Sequence, residues 1–452
     1  MAAWNDHSLL AAYQTALGTP NTVDADFVAL HCERPEVKFE HELVELDLME
    51  GQVGAAPERL VGRRSGSIRF AFPVEGLVSG YDGTEDPGAA PAGEEVIPPW
   101  FCLIANAMGS NMSAVATNAQ FWRGLGSSVS QFSDSDVVAA GTNSTTITVL
   151  DAGASGQIDV GQLVVTALTP TNTSPQIGWV KVKALQVLTL FEASVNTVAD
   201  DDGDIFGTTT AYASAEITET APITFRWVGA NALHCFDLED SFCDNFKISW
   251  EAGAVPVCEF SYRFFNFQRN KLDGGLAIPA AYNRIPQLIG SNNARATIDG
   301  SNRCGLENCE FSWTAGNLRV TKCHGSTNGV SAVEVISPRV RMAFSILDDT
   351  VNDDVYDAAG ATANLGQYEW ISRLELATAI TVGVYVGSQV GKILAMLVPN
   401  GKIVATPDVQ FRDTSVAYGL QIEAGAYSAD VTDTAETTAD SPINSLGRVA
   451  LG

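Results

Sequence analysis

Five histidines and eight cysteines are the residues of this 452-residue chain best suited to act as bases, nucleophiles or soft metal ligands. Cys304, Cys309, Cys323 and His324 form the densest group, and thiolates with an imidazole suit zinc. The spacing works against a shared ion, because Cys323 and His324 are adjacent on an expected strand and point to opposite faces. The same divergence separates thiol from base in the dipeptides His31-Cys32 and His234-Cys235. The acidic run Asp200 to Asp204 lacks both the alternating spacing and the distal glutamate of a calcium loop. Neither the zinc-protease pattern H-E-x-x-H nor the serine-hydrolase pattern G-x-S-x-G occurs, and there is no phosphate-binding P-loop or G-x-G-x-x-G. Buried thiols and a solvated acidic turn are the readings that remain. No catalytic residue, metal or cofactor is implied, and the chain reads as a structural protein, not an enzyme.

Charge is the most unusual property of the sequence. Asp and Glu number 53 against 26 Lys and Arg, giving a formal net charge of −27 and a pI near 4.4. Such a surface repels nucleic acid and anionic membranes at a distance, which argues against a DNA reader. A conduit through which DNA slides would benefit from the same repulsion. High solubility or a salty habitat accounts for the charge equally well. The segment MAAWNDHSLLAAYQTALG has no basic region and no unbroken apolar core, so no signal peptide is expected. Eight cysteines spread thinly along the chain argue against a disulfide framework.

The elements that must position any functional residue are mostly strands. Lys247 to Phe267 gives the clearest pattern, with Cys258, Phe260, Tyr262 and Phe264 alternating with Glu259, Ser261 and Arg263. Trp250 joins this expected core from the partner strand, and Gly253 supplies the turn. Ser249-Trp250-Glu251-Ala252-Gly253 is echoed by Ser312-Trp313-Thr314-Ala315-Gly316, which predicts a second hairpin on the same plan. Val37, Phe39, His41 and Leu43 alternate in one strand, and Ile68, Phe70 and Phe72 in its return. Between them Asp47 to Arg64 reads as a long exposed loop. Ser8 to Leu17 has a short helical pattern, and Pro98-Pro99 opens the best helix, running to Met108. Gln367 to Leu376 reads as strand. Thr378 to Pro399 is long and uncharged enough to imitate a membrane span, yet Gly387-Ser388-Gln389 and Lys392 interrupt it, which predicts two strands about a turn.

Composition divides the chain into four parts. Residues 1–139 and 213–423 form one β-rich body, 140–212 with its short strands and frequent glycines an inserted small β-barrel, and 424–452 an acidic arm that orders on a partner.

The order of these features resembles the major tail tube proteins of tailed bacteriophages with long, flexible tails. The likeness rests on Thr19-Pro20-Asn21, the strands from Phe27 and Val37, the loop through Gly51 to Arg64 and the return Gly66 to Phe72. It continues with the proline-led helix at Pro98, the lead Asp159-Val160-Gly161-Gln162, and the closing Pro399 to Ile403 with Arg412-Asp413. Each motif is short, so the order carries the resemblance. The chain is about twice as long as the smallest members, which leaves the insertion and the arm without a counterpart.

The resemblance implies an antiparallel β-sandwich with a flanking α-helix, six copies closing into a ring, and stacked rings forming the channel for DNA ejection. It implies a virion protein, assembled in the host cytoplasm, without catalytic or metal site. Implied partners are other copies of the chain, the tape measure and tail terminator proteins, and passing double-stranded DNA without specific binding; no membrane is involved. Glu50, Glu58, Arg59, Arg63 and Arg64 would make inter-ring contacts from the long loop. A surface decoration protein that binds carbohydrate through the 140–212 unit is the chief alternative, and a secretion-tube subunit a further one.

Overall fold

The computed structural model describes residues 8–23, 27–30, 32–46, 58–76, 98–109, 131–132, 137–139, 146–149, 161, 163–167, 176–184, 187–191, 204–207, 209–214, 220–228, 235–270, 289, 294–303, 306–322, 329–347, 367–387, 392–411, 416–428 and 444–451. It is mainly β, with antiparallel sheets and two helices. The first strands are β1 (Ser8–Tyr13), β2 (Val28–Leu30), β3 (Glu36–Leu46) and β4 (Glu58–Pro73), followed by helix α1 (Pro99–Met108). Seven short strands come next: β5 (Gln131–Phe132), β6 (Val137–Ala139), β7 (Thr146–Val149), β8 (Leu163–Ala167), β9 (Gln176–Ala184), β10 (Val187–Leu190) and β11 (Asp204–Gly207). The chain then runs through β12 (Thr209–Ser214), β13 (Ile223–Val228), β14 (Cys235–Glu251), β15 (Val257–Asn270), β16 (Arg295–Ile298), β17 (Ser301–Arg303) and β18 (Leu306–Thr314). After β19 (Asn317–Lys322), β20 (Val330–Ile336) and β21 (Arg339–Leu347) comes helix α2 (Gln367–Glu375). The last strands are β22 (Ile380–Val386), β23 (Leu394–Ile403), β24 (Asp408–Phe411), β25 (Val416–Ala424), β26 (Tyr427–Ser428) and β27 (Asn444–Leu451).

The expected hairpin is the spine of the first layer. β14 and β15 pair from Cys235↔Asn270 to Ser249↔Val257, and Ala254 N–H donates to Glu251 C=O across a turn where Gly253 takes a φ of 82°. β15 continues to β4 and β4 to β3. On its other edge β14 is shared: the first half pairs with β13, which leads to β1 and β2, and the second half pairs with β18, which leads to β21 and β25. Strict alternation sets the inner face. Phe246, Ile248, Trp250, Cys258, Phe260, Tyr262, Phe264, Phe311 and Trp313 are all buried. Their rings stack across strands, as Phe246 does on Trp313 with centroids 5.9 Å apart.

β16, β22, β23, β27 and β12 form the second layer, joined to the first where the end of β23 meets β25. Gly447 on β27 brings the layers into contact. A Cβ there would lie 2.9 Å from Val340 Cγ1 and 3.3 Å from the Phe311 ring, both on the first layer. Val382, Val384, Met396, Val398 and Val449 face this main core. Their neighbours Tyr385, Ala395, Leu397 and Ala450 face the other way, onto Leu163, Ile177 and Trp179 of the short-strand unit. The second layer is therefore covered on both faces. This explains why Thr378 to Pro399 imitates a membrane span: strands buried on both sides lose their polar alternation. The two strands expected in that stretch are β22 and β23, which pair with each other, while Ser388 and Gln389 of the expected turn lie outside the described residues.

Several expectations are corrected. Among the described residues the short-strand unit is a sheet in the order β5-β11-β8-β9-β10-β7-β6, whose end strands do not pair with each other, where a small barrel was expected. Its strands run from 131 to 207, and β12 belongs to the main body through β27. The residues 424–452 are not wholly an arm: β27 fills the gap between β12 and β23, with Ser445 to Leu451 buried. The acidic composition around it masked this short apolar strand. Ser8 to Leu17 is not helical, because β1 lies between β13 and β2 with Leu9 and Ala11 on one core and Leu10 and Ala12 on another. Such an unbroken apolar run carries no period that separates helix from strand. Gln367 to Leu376 is helical, with Trp370 and Leu374 one turn apart on the packed side. The second hairpin is also absent: after Gly316 (φ 69°) β19 pairs with β20, not with β18.

The proline-led helix is present, with Pro98 as N-cap, Pro99 in the first turn, and Gly109 closing the other end in the left-handed conformation. It is enclosed where a flanking position was expected. All ten of its residues are buried, as suits a helix apolar all round. Trp100 Nε1 donates to Glu75 C=O at 3.2 Å, Tyr13 Oη to Cys102 C=O at 3.3 Å, and Asn106 Nδ2 to Ala221 C=O at 3.1 Å. Among the described residues no helix is long and apolar enough to cross a membrane.

Candidate assembly interface

The long loop expected from Asp47 to Arg64 is largely strand. β3 and β4 pair as far as Leu46↔Glu58, so the connection shortens to residues 47–57, outside the described residues. Glu50 falls there. Glu58, Arg59, Arg63 and Arg64 instead lie on β4, with Glu58 opposite Leu46, Arg59 opposite Glu45, and Arg64 opposite His41. Their sequence carried mixed charge and glycine, which masked the strand.

β4 leaves its other neighbour early. Its pairing with β15 stops at Gly66↔Phe264, although β15 itself continues to Asn270. Among the described residues, from Ser65 back to Glu58 the β3–β4 ribbon is paired only to itself, over roughly 25 Å at ~3.3 Å per residue. Gly66 marks the divergence for a steric reason. A Cβ there would come within 2.1 Å of Lys38 O and 2.3 Å of Phe264 Cζ. The register of β3 also shifts between His41 and Leu43, a bulge that bends the ribbon further.

Described side chains secure the root of this ribbon. Phe39 lies 4.8 Å from Phe267 and 5.1 Å from Phe236 by ring centroids, and His41 meets Phe267 edge-on at 5.2 Å. The Arg63 guanidinium sits 4.7 Å from the Phe265 ring. Arg64 donates to Phe267 C=O at 3.5 Å. Among the described residues no strand pairs with the outer edge of β3.

The outer face of the first layer is the second feature. Alternation puts Lys247, Glu259, Glu310, Arg341 and Glu423 outward, and they pair across strands. Lys247 Nζ lies 3.5 Å from Glu259 and 3.8 Å from Glu310, and Arg341 donates twice to Glu423 Oε2, at 3.1 and 2.9 Å. A trough of about 1170 Å³ opens here, where five glutamates, Glu259 and Glu310 among them, outnumber Arg34, Arg69 and Lys247. Exposed aromatic rings, which sugar binding would use, are missing from its lining: Trp250 is 5% exposed and Phe260 2%.

The residues with potential chemistry fall into those outside the described residues and a set of buried thiols. Cys304, Cys323, His324, His31 and His234 lie outside the described residues, and so does the run from Asp200 to Gly203. Burial pushes the Cys102 thiol up to about 12, and raises Cys243, Cys258 and Cys309 well above the ordinary thiol range, so all four stay protonated. Among the described residues no group of three or more His, Cys, Asp or Glu could hold a metal ion. Sequence reasoning missed one cluster, Asp237, Glu239 and Asp240 on β14, and all three are buried. No protein-family model matches the chain, and no curated protein matches it.

Proposed function

We propose that the chain is a structural virion protein that polymerises as stacked, hexameric rings into the tube of a long phage tail, and that its fold is the tail-tube form of the β-sandwich. The observation that carries this reading is the β3–β4 ribbon, which continues past the sheet that should support it. A two-stranded ribbon is marginal by itself in water, so its length makes sense if a second copy covers it. Arg59, Arg63, Arg64 and Glu58 on the ribbon, with Glu50 in its tip, are the proposed contacts with the next ring. The outer face of the first layer is proposed as the channel wall. Its glutamates repel phosphate, and Lys247 and Arg341 are already engaged by carboxylates, which leaves DNA fewer cations to meet. The mainly antiparallel β architecture and the order of the sequence motifs support the same reading.

The test is electron microscopy of the purified chain over a range of protein and salt concentrations. Rings with a central hole, or tubes of uniform width, are the expected result. A chain that stays monomeric under every condition would sink the proposal.

A further inference from the structure

Three carboxylates stand within four residues on β14, at a break in its pairing with β13. The register shifts between Ile223↔Ser241 and Phe225↔Leu238, and Asp240 takes a φ of 52° in the resulting bulge. The distortion aims the carboxylates at different partners. Asp237 holds Arg226 at two points, 2.7 and 3.2 Å, and the guanidinium lies 4.0 Å from the Phe27 ring. Asp240 Oδ1 accepts from Gln14 Nε2 at 3.0 Å and from Gly18 N–H at 2.7 Å, and Asp240 N–H donates to Gln14 Oε1 at 2.7 Å. Residues 14–21 are tied to the sheet edge by these bonds and by Gln14 N–H to Pro222 C=O and Asn21 N–H to Thr224 Oγ1.

Glu239 is held by neutral amide side chains of the neighbouring strand. It is 3% exposed, and Asn266 Nδ2 and the Gln268 amide of β15 donate to it. The charged groups around it are Asp237 and Asp240 on its own strand and, beyond Asp237, Arg226 on β13; the segment after β1 offers the neutral Gln14.

We propose that Asp237, Glu239 and Asp240 form a proton-held latch on residues 14–21: closed while Glu239 carries a proton, loosened when it ionises beside two buried carboxylates. Burial first, then the two neighbouring carboxylates, raise its pKa to about 7, which sets release near neutral pH. The latch governs how firmly the N-terminal segment lies on the body, in any assembly the chain forms.

Hydrogen exchange of the full chain between pH 6 and 8.5, corrected for intrinsic exchange rates, tests this directly. The amides of Gln14, Gly18 and Asn21 are expected to lose protection severalfold as pH rises. Glu239→Gln, which mimics the protonated form, should keep them protected throughout. Gln14→Ala should lose protection at both ends of the range. A pH response that persists unchanged in Glu239→Gln, or full protection in Gln14→Ala, would overturn the latch.

Discussion

At the level of single residues, two positions set conditions on the fold that their letters do not announce. Gly66 sits in a run, Gly-Ser-Ile-Arg-Phe, that reads as ordinary strand. The alternation of Ile68, Phe70 and Phe72 was legible, but the need for a bare Cα was not, because Lys38 and Phe264 approach it from other strands. Gly66→Ala drives a methyl into a backbone oxygen that cannot move aside, and is expected to cost about 1–3 kcal/mol as an overpacked site. A urea midpoint lowered accordingly is the check. Glu239 gives the second prediction. Its folded pKa of about 7 lies above the ordinary 4.5, so the folded chain holds this proton more tightly than the unfolded chain. Between those values a rising pH favours unfolding. The Glu239 contribution is thus present in full below about pH 4.5 and is lost by about pH 7 and above. Comparison of denaturation midpoints for the native chain and Glu239→Gln across this window should show that part of the decline removed, with the variant gaining most above pH 7.

At the level of elements, legibility followed how many faces of a strand are covered. β15 and β21 have one polar face, and their alternation placed Phe260, Tyr262, Val340 and Met342 inward, as observed. β1, β22, β23 and β27 are covered on both faces, so β1 reads as helix and β27 as arm, while β22 and β23, though read as strands, imitate a membrane span in composition. What covers them lies far away in sequence, as Trp179 of β9 does for Ala395 and Leu397. Trp179 therefore provides a test of the third layer. It is fully buried, and Trp179→Ala is expected to destabilise the chain by about 3–5 kcal/mol, within the range for losing a large buried aromatic. Loss confined to the short-strand unit would expose Tyr385 and Leu397 and appear as raised hydrogen exchange in β22 and β23, with β14 and β15 still protected. The ribbon was partly legible. Its first strand and its return were plain, but mixed charge hid the outer part of β4. Replacement of residues 47–57 by a two-residue Asn-Gly turn keeps all described pairs of β3 and β4 while removing the tip. On the assembly reading this variant folds, with an unchanged thermal midpoint, yet fails to stack.

For the whole molecule, two electrostatic effects oppose one another and magnitude decides between them. Each copy carries a formal charge of −27, so bringing copies together at low salt is resisted over a Debye length of about 10 Å at 0.1 M salt. The cationic contacts proposed for the ribbon act the other way, but exposed ion pairs contribute only ~0.2–1 kcal/mol each, and a few of them do not offset the long-range repulsion. Assembly is therefore expected to rise with salt, from mostly monomer at low ionic strength to rings or tubes as screening shortens toward ~3 Å near 1 M. Sedimentation across a salt series measures this, and assembly that falls steadily with salt would mean that the interface is dominated by attractive charge, contrary to the net balance. The same charge predicts the behaviour of DNA. Double-stranded DNA added to the protein at low salt should elute separately, since the outward cations Lys247 and Arg341 are paired with Glu259, Glu310 and Glu423. Reversal of that balance by Glu259→Lys and Glu310→Lys leaves the inner-face core untouched, because both side chains point outward. It should convert the trough into a surface that retains DNA, with a steep salt dependence as counterions are released. Tubes of the variant that still let DNA pass unretained would show that the open face of the first layer does not line the channel.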